Sequence, residues 1–281
     1  MKKLKISAAA DPLSLVLRTL LWLATGVTAL VFVSIVGYVL IKGVPNLTLS
    51  LFSFTYNSEN VSLFPALVNT ISITALSLLV AVPLGVFSAV YTVEYARRGN
   101  RLVKIVRMTA ETLSGIPSIV YGLFGFLFFV SALGWRYSML AGIFTLAIMI
   151  LPLIMRTTEE ALQAVPDSFR EGSFGLGAGR LRTVFKIVLP AAQPGILAGV
   201  ILAVGRIVGE TAALIYTSGT VAKVPGSLME SGRTLSVHMY ALASEGLYID
   251  QTYATAVVLL VIVTGINALS SYLARRLTRE R

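Results

Sequence analysis

Between residues 195 and 217 the chain reads GILAGVILAVGRIVGETAALIYT, an apolar run whose only charges are Arg206 and Glu210. A hydrocarbon core of about 30 Å takes roughly 20 apolar residues in helical form to cross, so this run is long enough to span a bilayer. Each charge inside such a span costs about 2.5–3.5 kcal/mol on insertion scales, and is tolerated where it faces protein or water. The run therefore predicts a membrane helix with one polar face. Working outward, five more stretches of the same kind occur at 20–41, 67–93, 113–133, 139–155 and 254–273. None has the ten-residue alternation of a membrane β-barrel, and helices satisfy their own backbone groups in lipid. The expected fold class is all-α, a polytopic membrane bundle of six transmembrane helices.

Composition excludes the other classes. Of 281 residues, 56% belong to the AVILMFWYC set and 13% are charged, with a mean hydropathy of +0.83. Soluble domains carry about 25% charged residues, so a water-facing surface cannot be covered. The absence of cysteine removes disulfides, thiolate metal sites and cysteine nucleophiles, and a single histidine, His238, is too few for a zinc or di-iron centre. The net charge of +10 is an orientation signal: eighteen of the 23 Lys and Arg lie at the two termini and in the second-to-third and fourth-to-fifth connections. They include Lys2, Lys3, Lys5, Arg18, Arg97, Arg98, Arg101, Arg275, Arg276, Arg279 and Arg281. Lys42, Arg136, Lys223 and Arg233 lie on the other side. The positive-inside rule puts both termini in the cytoplasm and leaves no basic surface for nucleic acid. The first span ends in Leu40-Ile41-Lys42-Gly43 with no A-x-A-like site, so it is expected to be an uncleaved anchor. The sequons at Asn46 and Asn60 in the first outer loop carry no weight outside a eukaryotic secretory context.

Chemistry is sparse. No Walker A pattern, H-E-x-x-H or G-x-S-x-G occurs. Glu94 and Glu111 fall at span margins, leaving Glu210 as the one deep carboxylate. A membrane enzyme needs several acids or histidines around one cavity, so this points to a non-catalytic chain. The segment at about 156–194 is far longer than a tight helix connection. A polar helical run starts at Glu159, Pro166-Asp167-Ser168 restarts the chain with an N-cap at Asp167 or Ser168, and Gly175, Gly177 and Gly179 supply a bend. Residues 180–189 carry Leu181, Val184, Phe185 and Val188 at helical spacing, with Pro190 and Pro194 expected to end that helix. A docking knob and a solvated loop both fit.

Within that segment Glu171-Gly172-Ser173, three residues, Gly177, nine residues and Ile187-Val188-Leu189-Pro190 resemble the EAA motif, E-A-A-x3-G-x9-I-x-L-P, of permease subunits of binding-protein-dependent ABC importers. The gaps match throughout; Gly172 and Ser173 replace the two alanines and are still small. The resemblance implies a MetI-like, type I importer architecture in which Glu171, Gly172, Ser173, Gly177, Ile187, Leu189 and Pro190 couple to a separate ATPase. Residues 82–96, 114–124, 205–212 and 232–240 further resemble the PstA family of phosphate-uptake permeases; the Gly-Glu-Thr-Ala-Ala stretch at 209–213 and the compact length favour it over the similar PstC family, which stays open as the alternative together with a permease for another oxyanion. The likeness runs from about residue 65 to the C-terminus, which divides the chain into residues 1–64 (tail, first anchor and outer loop) and a permease core at 65–281. The implied partners are a PstC-like permease, two PstB-like ATPase copies holding ATP and Mg, and a PstS-like phosphate-binding protein. No cofactor is implied for this chain, and the implied location is a bacterial cytoplasmic membrane.

Arg206 and Glu210, four apart, are expected on one helix face, either as an ion pair that only fixes packing or with Arg206 facing an anion path. A guanidinium fork suits phosphate oxygens. Ser114, Ser118 and Thr211 are the other expected path residues. Ser114 reads equally as a helix cap before Pro117. Gly205 and Gly209 form a G-x-x-x-G suited to close helix approach; Pro83 and Pro152 predict kinks, and His238 reads as a loop residue. A stand-alone channel or ion-coupled carrier remains the alternative of a different class, and it requires no EAA spacing.

Overall fold

The structure, a computed structural model, describes residues 12–97 and 99–279. Lys2, Lys3, Lys5, Arg98 and Arg281 lie outside these residues, as do the side chains of Arg275, Arg276 and Arg279. All regular structure among the described residues is helical: α1 (Pro12–Gly43), α2 (Phe64–Val90), α3 (Arg101–Ser114), α4 (Ser118–Gly125), α5 (Met139–Gln163), α6 (Asp167–Gly175), α7 (Arg180–Thr183), α8 (Leu189–Val208), α9 (Ala212–Thr217), α10 (Leu235–Glu245) and α11 (Ile249–Arg279). Wider π turns extend α2 through Tyr91–Tyr95 and α4 through Phe126–Ala132, and join α7 to α8 through Val184–Val188. Five helices are long and apolar enough to cross a membrane; α3 and α4 with its π extension pass that test only as a pair, which is bent by 104°. The expected membrane bundle is the fold observed.

α5 is the axis of the bundle. Its most apolar stretch is 67% buried, against none of the corresponding stretch of α1. α2 and α8 flank it, and Ile73, Leu146, Met149, Ile150, Ile154 and Ile207 form the centre of the core. α8 approaches α5 closely because Gly199 has no side chain: a Cβ there would lie 2.0 Å from Thr157 Oγ1. Since lipid is as apolar as the core, this close packing, rather than expulsion from water, holds the spans together. α1 touches the rest at its C-terminal end, where Tyr38 meets Tyr253 of α11 edge-on at 5.7 Å.

Three expectations are corrected. The span at 113–133 is not one helix: α3 and α4 meet at 104°, because Pro117 offers no N–H and pushes Ile116 out of helical geometry. The span at 195–217 begins earlier, since the chain passes through Pro190 and Pro194 inside α8. The π turn before α8 has already changed the hydrogen-bond pattern where Pro190 removes a donor. The helix then stops at Val208, and Gly209–Thr211 separate it from α9. Finally, the polar run from Glu159 is no separate element but the last turns of α5.

Candidate functional site: a charged cavity and an exposed hairpin

The two breaks face one another. At the first, the Leu113 carbonyl accepts both the Ile116 N–H at 3.1 Å and the Tyr121 hydroxyl at 2.7 Å, which ties α4 to the end of α3. At the second, the buried Glu210 carboxylate accepts the Ala213 N–H at 3.0 Å, in the manner of a helix cap, and Ser236 Oγ donates to the Glu210 carbonyl at 2.6 Å. The breaks touch where Gly122 of α4 packs on α9, with Ala213 Cα 2.8 Å from the position a Cβ would take.

Arg206 and Glu210 do not share a helix face. Glu210 lies beyond the end of α8 with its carboxylate turned into the cap, whereas Arg206 is exposed. Among the described residues no carboxylate pairs with Arg206. Its guanidinium lines a cavity of about 520 Å³ with Ser114, Glu111, Arg107 and Arg156, over an apolar wall of Met149, Pro152 and Leu153. The remaining cations here are answered: Arg107 Nε lies 3.0 Å from Glu159 and Arg156 Nε 3.1 Å from Glu160, and Thr92 donates a short bond to Glu159. Arg206 and Glu111 are thus the two charges of this cavity that make no ion pair among the described residues. Ser114 closes α3, with its hydroxyl donating to Glu111 O at 2.9 Å; it is not the cap of the next helix, a place taken by Pro117. Ser118 opens α4 outside the cavity wall, and the Thr211 hydroxyl turns back to Gly209 O at 3.4 Å. The structure therefore brings together Arg206 and Ser114, but not Glu210, Thr211 or Ser118.

The second feature is a hairpin of α6 and α7. Gly177 has φ +80°, a left-handed conformation that disfavours any side chain. There Gly177 N–H bonds Phe174 O at 2.9 Å and Ala178 N–H bonds Ser173 O at 3.1 Å, turning the chain sharply after α6. The expected side-chain cap is absent: Pro166 precedes α6 and Asp167 is its first residue. Ser173 is buried and shares a hydrogen bond with Thr183 at 2.8 Å, locking the two arms. Glu171, Gly172 and Gly177 are exposed, while Ile187, Leu189 and Pro190 are half-buried. Val184 and Val188 pack on Ala89, Val90, Met155 and Leu162. Leu181 and Phe185, expected on that same face, stay exposed beside Phe169, Phe174 and Leu176, so the hairpin presents an unpaired apolar surface. Sequence reading missed its anchor. Arg170 Nη2 reaches Glu94 Oε1 at 2.7 Å and Leu162 O at 2.9 Å, and Arg170 Nη1 reaches Val165 O at 2.8 Å. This buried fork ties α6 to the ends of α2 and α5; its partners are 76 residues apart, and no local pattern announces them.

On the opposite side, His238 is fully buried within α10 rather than in a loop. Burial, and then the nearby Arg233 guanidinium, hold it down to about 3. Arg233 in turn lies over the Tyr56 ring at 4.7 Å.

Apolar spans broken around a charged cavity, with a hairpin held out at one face, describe a multi-pass membrane protein that has both a polar interior and a docking surface. The chain belongs to the family of binding-protein-dependent transport system inner membrane components, whose model matches residues 81–279. It is 34% identical to the probable ABC transporter permease protein YqgI of Bacillus subtilis (strain 168), over 81% of this chain and 82% of that one. It is 32% identical to the phosphate transport system permease protein PstA 1 of Mycobacterium tuberculosis (strain CDC 1551 / Oshkosh), over 78% and 72%. Its fold superimposes on a chain of the MetNI methionine ABC transporter with a TM-score of 0.59 at 21% identity, covering 76% of this chain and 94% of the other. The MetI-like membrane architecture expected from the sequence is the one found.

Proposed function

We propose that this chain is one transmembrane subunit of an ATP-driven importer of inorganic phosphate and catalyses no covalent step itself. The observation that carries the reading is Arg206, a guanidinium within an apolar run that lines a cavity of about 520 Å³ and makes no ion pair among the described residues. An exposed cation without an ion-pair partner is free to take an anion as its ligand, and the planar fork fits phosphate oxygens in pairs. The relative named as a phosphate transport permease supports that choice of anion. YqgI, whose name gives no substrate, keeps another oxyanion or the PstC-like role as the second reading.

The α6–α7 hairpin, facing the cytoplasm with both termini, seats in a PstB-like ATPase pair that binds ATP and Mg. A PstC-like permease supplies the other half of the path, and a PstS-like protein delivers phosphate to the outer side. Closure of the ATPase pair moves the hairpin, and the fork of Arg170 on Glu94 carries that movement to α2. The result is an alternation between two states biased by nucleotide. Arg206 holds the anion in passage, and Glu210 keeps the α8–α9 break in shape. The test is labelled phosphate uptake by the reconstituted complex against sulfate and molybdate competitors. Arg206→Gln is expected to assemble normally and lose transport roughly tenfold to a hundredfold, the worth of one charge-assisted contact. Wild-type flux in that variant overturns the assignment; uptake blocked equally by molybdate selects the second reading. ATP-independent flux through this chain alone would make it a channel or carrier.

A further inference from the structure

The α2–α3 corner adjoins the Arg206 cavity, with which it shares Arg107 and Glu111, but its Arg97 and Lys104 serve neither that cavity nor the hairpin. α3 is sharply amphipathic and stands at 104° to α4, so with α4 crossing the bilayer α3 runs along its surface. Val103 faces the bundle, while Leu102, Ile105 and Met108 are 59%, 57% and 58% exposed. Arg101 and Lys104 border that apolar stripe and are exposed as well. A helix of this make lies in the interface, with its apolar face in acyl chains and its cations at head-group level.

Two hollows meet at this corner and share Thr92. One, of about 400 Å³, is a groove between α2 and α3 walled by Pro83, Leu84, Phe87, Leu102 and Val106. Pro83, which lies inside α2, thus stands in its wall. The other, of about 780 Å³, is lined by Arg97, Lys104 and Arg107 with Glu111 as its one carboxylate. Because Arg107 is paired with Glu159, Arg97 and Lys104 are left to attract an anion. An acidic protein would meet only the basic half, and free phosphate would leave the apolar groove unfilled. An amphiphile with an anionic head fills both.

We propose that the α2–α3 corner binds one anionic phospholipid of the adjoining leaflet, its phosphate on Arg97 and Lys104 and an acyl chain in the groove beside Pro83. The assignment goes beyond the transport reading and depends on no substrate. The full chain, purified in detergent, is titrated with phosphatidylglycerol or phosphatidylcholine of identical acyl chains and the bound lipid counted by native mass spectrometry. Phosphatidylglycerol is expected to bind at least about tenfold more tightly. The double variant Arg97→Glu/Lys104→Glu is expected to weaken it by roughly thirtyfold, from about fivefold per basic residue at a membrane surface. Leu84→Trp, which fills the groove, is expected to weaken both lipids and leave their ratio unchanged. Should the charge reversal not purify as a single species, Arg97→Gln/Lys104→Gln carries the same test. Equal binding of the two lipids, a preference that survives the charge variants, or displacement of phosphatidylglycerol by millimolar inorganic phosphate overturns the proposal.

Discussion

His238 and Arg206 are the two titratable or charged side chains that the membrane setting makes most consequential, and they behave in opposite ways. Arg206 is exposed and faces a cavity. His238 gives its charge up: held down to about 3 by burial and by Arg233, it stays neutral in the folded chain while an unfolded chain titrates it near 6.5. Between those values the unfolded state binds a proton that the folded state refuses, so stability falls as pH drops through 6.5 and continues to fall towards 3. At pH 5 the cost is about 2 kcal/mol. His238→Gln is expected to remove that part of the acid sensitivity, measured as the change in melting temperature of the purified chain between pH 7.5 and pH 5.0. An unchanged pH difference would refute it. At this scale the sequence was legible where a residue contradicted its surroundings: Arg206 stands out in an apolar run. The fate of Glu210 was not legible, because four-residue spacing places two side chains together only while the helix continues, and this one stops at Val208.

Among elements, the apolar runs announced themselves because lipid imposes a length on each. Their interruptions did not. Pro83, Pro152, Pro190 and Pro194 lie within helices and Pro117 ends up between two, although all five stand in or beside apolar sequence. What separates Pro117 is its setting two residues after Gly115 and a Tyr121 hydroxyl that braces the broken form by donating to the Leu113 carbonyl, a contact formed only on folding. The hairpin was more legible, since its glycine spacing is local. Gly177 turns the chain at φ +80° and has open space around it. Gly177→Glu therefore costs the chain itself about 1–2 kcal/mol of backbone strain while placing a long charged side chain on the docking surface. The chain is expected to purify, and co-purification of the ATPase to fall at least about tenfold, beyond what that strain accounts for. Gly172→Ala, helical and also in open space, is the matched control and is expected to keep the ATPase with stability within about 0.5 kcal/mol of wild type. Normal ATPase retention by Gly177→Glu would remove the hairpin from the coupling role.

At the scale of the molecule, the accessible surface is 17174 Å², whereas a compact soluble protein of this mass exposes roughly 11,700 Å². The apolar stretch of α1, none of it buried within the chain, suits lipid, whereas the flank of α8 where Arg206 stands does not. That flank carries Gly205 and Gly209, and neither is used within the chain: a Cβ at Gly205 would meet only Asn267 Oδ1 at 4.0 Å, and one at Gly209 only the carbonyl of Gly205 at 3.6 Å. Two small residues a turn apart with nothing packed on them leave room for another backbone to approach, and a second permease placed there would close the open side of the cavity around Arg206. Gly209 has ordinary right-handed geometry, φ −85°, so Gly209→Leu introduces no strain of its own and is expected to melt within about 0.5 kcal/mol of wild type. The same variant is expected to lose the sister permease on co-purification and, with it, phosphate uptake. Retention of the partner by a normally folded Gly209→Leu chain would place the subunit interface on another face and leave the α8 flank to lipid and water.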